Sequence, residues 1–191
     1  MFPPLPPPAG AVTIRLAEPC ERDGDAYARH LVEQAAESGR HGAPHFTPVQ
    51  TLSRDEVRSA ALGRWSKDLA EALWGRAFLL CAGDRVVGHL ELRGGRLPAE
   101  MHRALLGMGI SQAFTGQGHG RRLVEIAVAW ARDEARLSWI DLGVFANNEP
   151  ALRLYRRMGF VEQGTREDAF RIDGGVTVTD IQMALDLRRA G

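Results

Sequence analysis

Cysteine, net charge and long apolar runs are all scarce in this sequence. Its two cysteines, Cys20 and Cys81, cannot form a disulfide framework and stand in no metal-ligand spacing, which favours a reducing, cytoplasmic location. The 24 Lys and Arg residues equal the 24 Asp and Glu residues, so the chain lacks the positive field of a nucleic-acid binder. No apolar stretch approaches the length of a bilayer span, and a membrane partner is therefore not expected.

Metal-binding and export patterns are missing as well. The six histidines show neither HExxH nor another paired spacing with a carboxylate, so no metal site is expected. The start of the chain has no basic segment followed by an unbroken apolar run, as a secretory signal would. Five of the ten prolines lie within Pro3 to Pro8 and favour polyproline II. We therefore predict a disordered tail over residues 1–11 and a single domain over residues 12–188.

Residue patterns in the first half of the chain predict mostly helix, then a hairpin. Gly39 is a typical helix stop, and Ser53 followed by acidic residues resembles a helix N-cap. Gly83 lies between two apolar-rich runs, where glycine suits a hairpin turn. The predicted elements are a strand over 12–16, helices over 21–38 and 53–74, and paired antiparallel strands over 77–81 and 85–92.

The second half predicts a βαβ unit followed by a helix and a second hairpin. Leu123, Ala127 and Trp130 share one face of a helix that opens at a glycine turn. The predicted elements are strands over 104–110 and 139–145 flanking that helix, a helix from 147 to Gly159, and two strands within 160–187 folded about Asp173-Gly174. The two strands of the βαβ unit should be parallel, with a right-handed crossover. The fold class is therefore α/β, with a mixed central sheet, a βαβ core and a C-terminal hairpin.

The glycine turn from Gly116 to Gly120 is the strongest candidate for a binding site. Backbone amides would converge there at the positive end of a helix dipole, which suits an anion. A P-loop would need Lys and then Ser or Thr after the last glycine, where this chain has Arg121-Arg122. A dinucleotide-binding fold would need GxGxxG, whose third glycine comes one residue later, although Asp141 lies at a suitable distance for a ribose contact. The dinucleotide interpretation therefore stays open as an alternative.

The segment from Leu106 to Phe160 resembles the GCN5-related N-acetyltransferase (GNAT) family. Thr115-Gly116-Gln117-Gly118-His119-Gly120 is similar to the glycine motif of that family with one departure, Thr115 in place of a Gln or Arg. Asn147, Ala151, Leu154-Tyr155 and Gly159-Phe160 resemble its second signature at the expected separation. Two ordered motifs are more specific than one, and the predicted order of elements is also similar from residue 12 to residue 187.

This resemblance implies direct transfer of an acetyl group from acetyl-CoA, as cosubstrate, to a primary amine. The pyrophosphate would bind backbone amides from Gly116 to Arg121, and the main chain of Met108 to Ile110 would pair with the pantetheine arm. Asn147 would add a side-chain hydrogen bond, and Tyr155 would protonate the leaving thiolate. The implied cofactor-binding residues are Met108, Gly109, Ile110, Gly116, Gln117, Gly118, His119, Gly120, Arg121 and Asn147.

The general base and the acceptor are less defined. Ala104 stands where histone-type members carry a glutamate, which leaves Glu91 and His102 as candidate bases beside the catalytic acid Tyr155. A peptide α-amine with a pKa of about 8 needs less help from a base than a lysine-like amine near 10.4. The details around Trp130 and the last strand look like the branch with ribosomal-protein α-amine and polyamine acetyltransferases. The acceptor region would include Phe46, Trp65, Trp74 and residues 93–102.

The expected partner is thus an amine, either a small molecule or a protein N-terminus, and a homodimer stays open. Two further hypotheses come from other classes. One is an acyl-CoA-binding module that senses the cosubstrate without turnover, and the other is a nicotinamide-dependent oxidoreductase built on the alternative interpretation of the glycine turn.

Overall fold

The computed structural model describes residues 11–40, 42–48, 51–172 and 175–188. This part of the chain contains seven strands and four α-helices. They are, in chain order, β1 (Val12–Leu16), α1 (Glu21–Ala35), α2 (Arg54–Trp65), β2 (Gly75–Ala82), β3 (Arg85–Gly94), β4 (Arg103–Ile110), α3 (His119–Asp133), β5 (Trp139–Phe145), α4 (Glu149–Arg157), β6 (Val161–Arg171) and β7 (Thr177–Asp186).

One mixed sheet organises the domain. Its strands lie in the order β1-β2-β3-β4-β5-β7-β6, and every neighbouring pair is antiparallel except β4 and β5, which are parallel. The connection from β4 through α3 to β5 is therefore the predicted βαβ unit, and β2-β3 and β6-β7 are the two predicted antiparallel pairs. The α/β fold class and the mixed sheet are confirmed.

The sheet is covered by helices on both faces because its strands alternate between two cores. Phe78 and Leu80 of β2 belong to the larger core, which includes Leu123 and Ala127 of α3. Their neighbour Leu79 instead joins a smaller core with residues of α1 and α2. Each core side chain is removed from water, and burial of apolar surface is the main source of stability for such a layered fold.

The parallel strands β4 and β5 separate along their length. They pair only over three residues each, Arg103 to Leu105 of β4 with Trp139 to Asp141 of β5. Beyond that point β4 stays paired with β3 as far as Ile110, whereas β5 stays paired with β7 as far as Phe145. The facing edges of β4 and β5 are therefore left open, and a cleft begins in the middle of the sheet.

Two predicted helices are longer than the observed ones. The helix α1 ends at Ala35 rather than Ser38, and α2 ends at Trp65 rather than Trp74. The second difference has a clear reason, because Trp65 packs in the smaller core while Trp74 packs in the larger one against Trp130. One continuous helix could not reach both faces of the sheet, so the chain turns between the two tryptophans.

Two further predictions concern parts of the chain outside the described residues. They are the turn at Asp173-Gly174 and all but the last residue of the Pro-rich tail. Within the described residues, no helix combines the length and the apolar character that crossing a membrane requires.

Candidate active site

A large cleft opens where β4 and β5 separate. Its volume is about 1330 Å³, and it is walled by the end of β4, the start of α3, the end of β5 and the helix α4. The cleft brings together most residues that the sequence predicts for the cosubstrate. The predicted residues in its wall are Met108, Gly109, Ile110, Gly116, Gly118, His119, Gly120, Arg121 and Tyr155.

The glycine turn forms an unhindered cradle at the start of α3. Gly116 and Gly118 have φ angles of 74° and 81°, a conformation that side chains with a Cβ rarely adopt, and a Cβ added at either position would meet no atom within 4 Å. Gly118 is also the N-cap of α3, and no side chain caps this helix end. The first amides of α3 thus remain available to an anion, as a pyrophosphate requires.

The edge of β4 offers a second kind of contact. Met108 to Ile110 are hydrogen-bonded to β3 on one side but have no strand partner on the β5 side. An extended ligand with amide groups, such as pantetheine, can pair with a free strand edge of this kind. The open cradle and the free strand edge lie in the same cleft and together fit acetyl-CoA.

Tyr155 is the titratable side chain of the cleft that is best placed to be an acid. Its ring is 6% exposed and packs edge-on against Phe160, with 5.5 Å between ring centroids. Burial raises the pKa of this phenol above its ordinary value, so Tyr155 is protonated at neutral pH and able to donate.

Four of the predicted site residues lie outside the wall of the cleft, and one of them, Glu91, lines a neighbouring cavity instead. Gln117 is exposed, and its side-chain Nε2 donates to the Ala113 carbonyl over 3.1 Å. Asn147 is exposed in a turn, whereas its neighbour Asn148 lines the cleft and caps α4 by accepting from the Ala151 amide. His102 immediately precedes β4, at the end where β4 and β5 are still paired. Asn148 is thus a site residue that the motif match missed by one position.

A smaller cavity of about 390 Å³ adjoins the cleft between α1, α2 and β3. Both cavities share wall residues, among them His89, Arg93 and Gly107. Of the predicted acceptor residues, Phe46 and Arg93 line the cleft, whereas Trp65 and Trp74 are buried packing residues. The side cavity therefore places a second, smaller space next to the cleft.

Glu91 lies in the wall of the side cavity at the centre of a polar network. Arg64 donates to both of its oxygens over 2.9 to 3.1 Å, Trp65 Nε1 donates to Oε1 over 3.1 Å, and the Tyr27 hydroxyl donates to Oε2 over 3.3 Å. The carboxylate is 5% exposed. Its acceptor positions are filled by these donors, so Glu91 is held as a paired carboxylate rather than as a free base.

A buried histidine pair lies beside this wall, and one of its members, His89, lines both cavities. The Nε2 of His30 lies 3.1 Å from the Nδ1 of His89, and Ser111 Oγ lies 3.4 Å from the Nδ1 of His30. Burial lowers the pKa of His30 to about 4 and holds the pKa of His89 well below its ordinary value. Both rings are therefore uncharged at pH 7, although no sequence motif marked either residue.

An open phosphate cradle, a free strand edge and a buried phenol in one cleft are the features of an acyl-CoA-dependent transferase. Residues 44–160 match the acetyltransferase (GNAT) family, and this segment is more than half of the chain. The chain belongs to that family and is an acetyl-CoA-dependent acetyltransferase.

Similar proteins agree with this assignment. The L-amino acid N-acetyltransferase AaaT of Escherichia coli is 28% identical over 63% of this chain and 75% of its own length. The N-alpha-acetyltransferase RimI of Mycobacterium tuberculosis is 33% identical over 51% of this chain and 60% of its own length. The solved acetyltransferase yncA of Salmonella typhimurium, which holds acetyl-CoA, has the same fold, with a TM-score of 0.76, 17% identity and coverage of 93% and 95% of the two chains.

The nicotinamide hypothesis is wrong. Its main support, Asp141, is occupied in an ion pair, because Arg103 donates to its two carboxylate oxygens over 2.5 and 2.8 Å. This pair lies at the closed end of β4 and β5, away from the glycine cradle.

Among the described residues, no group of three or more His, Cys, Asp or Glu side chains could hold a metal ion.

Proposed function

We propose that the protein transfers the acetyl group of acetyl-CoA directly to a primary amine, in the cytoplasm. The open glycine cradle beside the buried Tyr155 is the observation that carries this proposal, because it puts an anion site and a protonated acid in one cleft. Two relatives are named for acetylation of L-amino acids and of N-alpha amines, which supports an amine acceptor. Cys20 and Cys81 are both free thiols, as expected in a reducing compartment.

The roles of the residues follow from their positions. The amides at Gly116 to Arg121 bind the pyrophosphate, and the edge of β4 from Met108 to Ile110 binds the pantetheine arm. Acetyl-CoA supplies a thioester whose carbonyl carbon is attacked by the amine. As the carbon–sulfur bond breaks, the Tyr155 hydroxyl donates its proton to the leaving thiolate, so that CoA departs as a thiol, and the proton released by the newly bonded nitrogen restores the phenol.

The amine has to be uncharged before it attacks. We assign the removal of its proton to water or to the acid–base equilibrium of the amine itself. At pH 7 a peptide α-amine with a pKa of about 8 is already neutral in roughly a tenth of the molecules. Glu91 is occupied by five hydrogen bonds, and His102 lies at the closed end of the strands. The oxygens of Glu91 are thus occupied and His102 lines neither cavity, and we assign the base to neither.

Calorimetry followed by a turnover assay tests the proposal. Acetyl-CoA should bind saturably, NAD should not bind, and CoA thiol should appear only when a primary amine is added. A panel of L-leucine, L-leucinamide, a leucine-first tripeptide and spermidine covers the main amine classes. Saturable binding without amine-dependent thiol release would instead support the sensing module, and NAD binding would contradict the acetyl-CoA assignment.

A further inference from the structure

The side cavity contains a guanidinium group, that of Arg93, whose buried Nε has no hydrogen-bond partner among the described residues. Arg64 and Arg93 both line it, yet Arg64 alone takes three hydrogen bonds to Glu91. The Nε of Arg93 lies 3.9 Å from the nearest Glu91 oxygen, which is beyond hydrogen-bond distance, and it is buried with no hydrogen-bond partner among the described residues. A buried guanidinium N–H without a partner is costly unless a ligand completes it.

The local charge count also leaves Arg93 unmatched. Two guanidinium groups face one buried carboxylate, because His89 is neutral at pH 7. The remaining acid of the wall, Glu56, is exposed in the first turn of α2, where solvent screens its charge. Arg93 is itself 42% exposed, so its charge is partly screened too, but its unbonded Nε–H in the cavity wall suits the oxygen of an anionic ligand and not the ammonium group of a polyamine.

The position of Arg93 connects this charge to the reaction. Its Nη2 lies 3.6 Å from the point where a Cβ on Gly107 would stand, so the guanidinium covers the strand directly beside Gly107. Met108, the next residue, begins the free strand edge that suits the pantetheine arm. A carboxylate held by Arg93 would thus bring a neighbouring amine close to the thioester end of that arm.

The rest of the cavity wall is largely apolar. The side chains concerned come from α1, α2 and the segment before α2, and they are Leu31, Leu52, Val57 and Ala60. These groups suit an aliphatic or aromatic side chain rather than a charged one.

We infer that the side cavity is the acceptor site and that it takes a free α-amino acid with an apolar side chain, whose carboxylate pairs with Arg93. This inference rests on the proposed acetyl transfer to an amine and names its substrate class. Pairing with Arg93 has a second effect, because a carboxylate neutralised by a guanidinium stabilises the adjacent ammonium less and eases its deprotonation. The same residue would thus position the amino acid and favour its reactive form.

The first test compares amines that differ only in the carboxylate. The wild-type protein should acetylate L-leucine with a kcat/KM roughly 10- to 100-fold above that for L-leucinamide, as expected for a charge-assisted pair. The leucine-first tripeptide and spermidine should be poor acceptors. Equal or faster acetylation of the amide, the tripeptide or spermidine would overturn the inference while leaving acetyl transfer to amines intact. Failure of every amine would instead contradict the proposed function.

The second test uses variants of Arg93 with a matched control. Arg93→Gln should lower kcat/KM for L-leucine roughly 10- to 100-fold and leave that for L-leucinamide nearly unchanged, so that the preference disappears. Arg93→Lys should restore part of the preference for L-leucine over L-leucinamide, since lysine keeps the positive charge but lacks the planar guanidinium group. Arg171→Gln removes an equal charge from an exposed position of β6, outside both cavities, and should keep the preference. Acetyl-CoA affinity, measured by calorimetry, verifies that each variant is folded. An unchanged preference in folded Arg93→Gln contradicts the inference.

Discussion

The two cavities of this protein use different parts of the chain for recognition. The cosubstrate cleft is built mainly from main chain, with the open amides of the glycine turn and the free edge of β4. The side cavity instead presents charged side chains. Arg64 donates hydrogen bonds to Glu91, whereas the Nε of Arg93 has no hydrogen-bond partner among the described residues. Main-chain recognition requires a local stretch of small residues, whereas side-chain recognition gathers residues far apart in sequence. We call the cleft the cosubstrate half of the site and the side cavity the acceptor half. Substitutions in the two halves should therefore have different effects.

The largest expected effect is on the cosubstrate half. Gly118→Val should abolish acetyl-CoA binding, because the new side chain enters the open space in which the pyrophosphate approaches the amides. Gly83→Val is the matched control, since Gly83 also has a positive φ, of 59°, and open space around it, but lies in the β2-β3 turn. Both variants should lower Tm, and calorimetry should show lost binding only for Gly118→Val. Retained binding in that variant would exclude the cradle.

The acceptor half should respond through stability. Glu91→Gln removes a buried carboxylate and leaves the partly buried Arg64 without its counter-charge, which should lower the free energy of unfolding by up to roughly 3–5 kcal/mol. Glu33→Gln breaks the exposed pair with Arg85 and should cost at most about 1 kcal/mol. Urea unfolding followed by tryptophan fluorescence measures both, and acetyl-CoA affinity should be unchanged wherever the variant is folded. Equal losses for the two variants would contradict the buried network.

Tyr155→Phe tests where the two halves meet. Removing the hydroxyl should lower kcat roughly 100-fold, since proton donation to the thiolate is lost. The ring still packs against Phe160, so acetyl-CoA affinity and Tm should stay close to those of the wild type. Thr165→Val is the control, because it removes a hydroxyl from an exposed position of β6 that lines neither cavity, and it should leave kcat unchanged. Unchanged kcat in Tyr155→Phe would exclude this tyrosine as the acid.

The stability of the protein should also depend on pH. The unfolded state binds protons at His30 and His89 below pH 6.5, whereas the native pKa of His30 is about 4 and that of His89 is also depressed. Stability should therefore be full above pH 6.5 and fall between pH 6.5 and 4, by up to about 1.4 kcal/mol per pH unit for each histidine. Among nearby charges, Glu33 raises and Arg85 lowers the pKa of His30, and Arg93 lowers the pKa of His89.

Urea midpoints measured across this pH range provide the readout. His30→Gln should flatten the decline by removing one of the two titrating groups, while His102→Gln, at an exposed position, should leave the slope as it is in the wild type. Identical slopes in the wild type and His30→Gln would mean that the histidine pair does not govern acid stability.

Local patterns predicted most of the fold because hairpins, helix ends and the βαβ unit depend on nearby residues. The first strand, β5 and the glycine-opened helix lie where their periodicity and turn residues indicated. The end of α2 could not be predicted in this way, because it depends on Trp65 and Trp74 packing on opposite faces of the sheet. A helical pattern does not report which face each large side chain reaches.

The sequence by itself determined the cosubstrate half of this protein. Its two motifs are each a continuous stretch of chain, Gly116 to Gly120 and Asn147 to Phe160. The main chain that the glycine turn exposes follows from its local conformation. Only the tertiary structure decided the acceptor half. It brought Arg64 of α2 into hydrogen bonds with Glu91 of β3, which was a candidate base. It also left the Nε of Arg93 without a hydrogen bond, 3.9 Å from the same carboxylate. Such a balance depends on burial and distance, which no spacing in the sequence encodes.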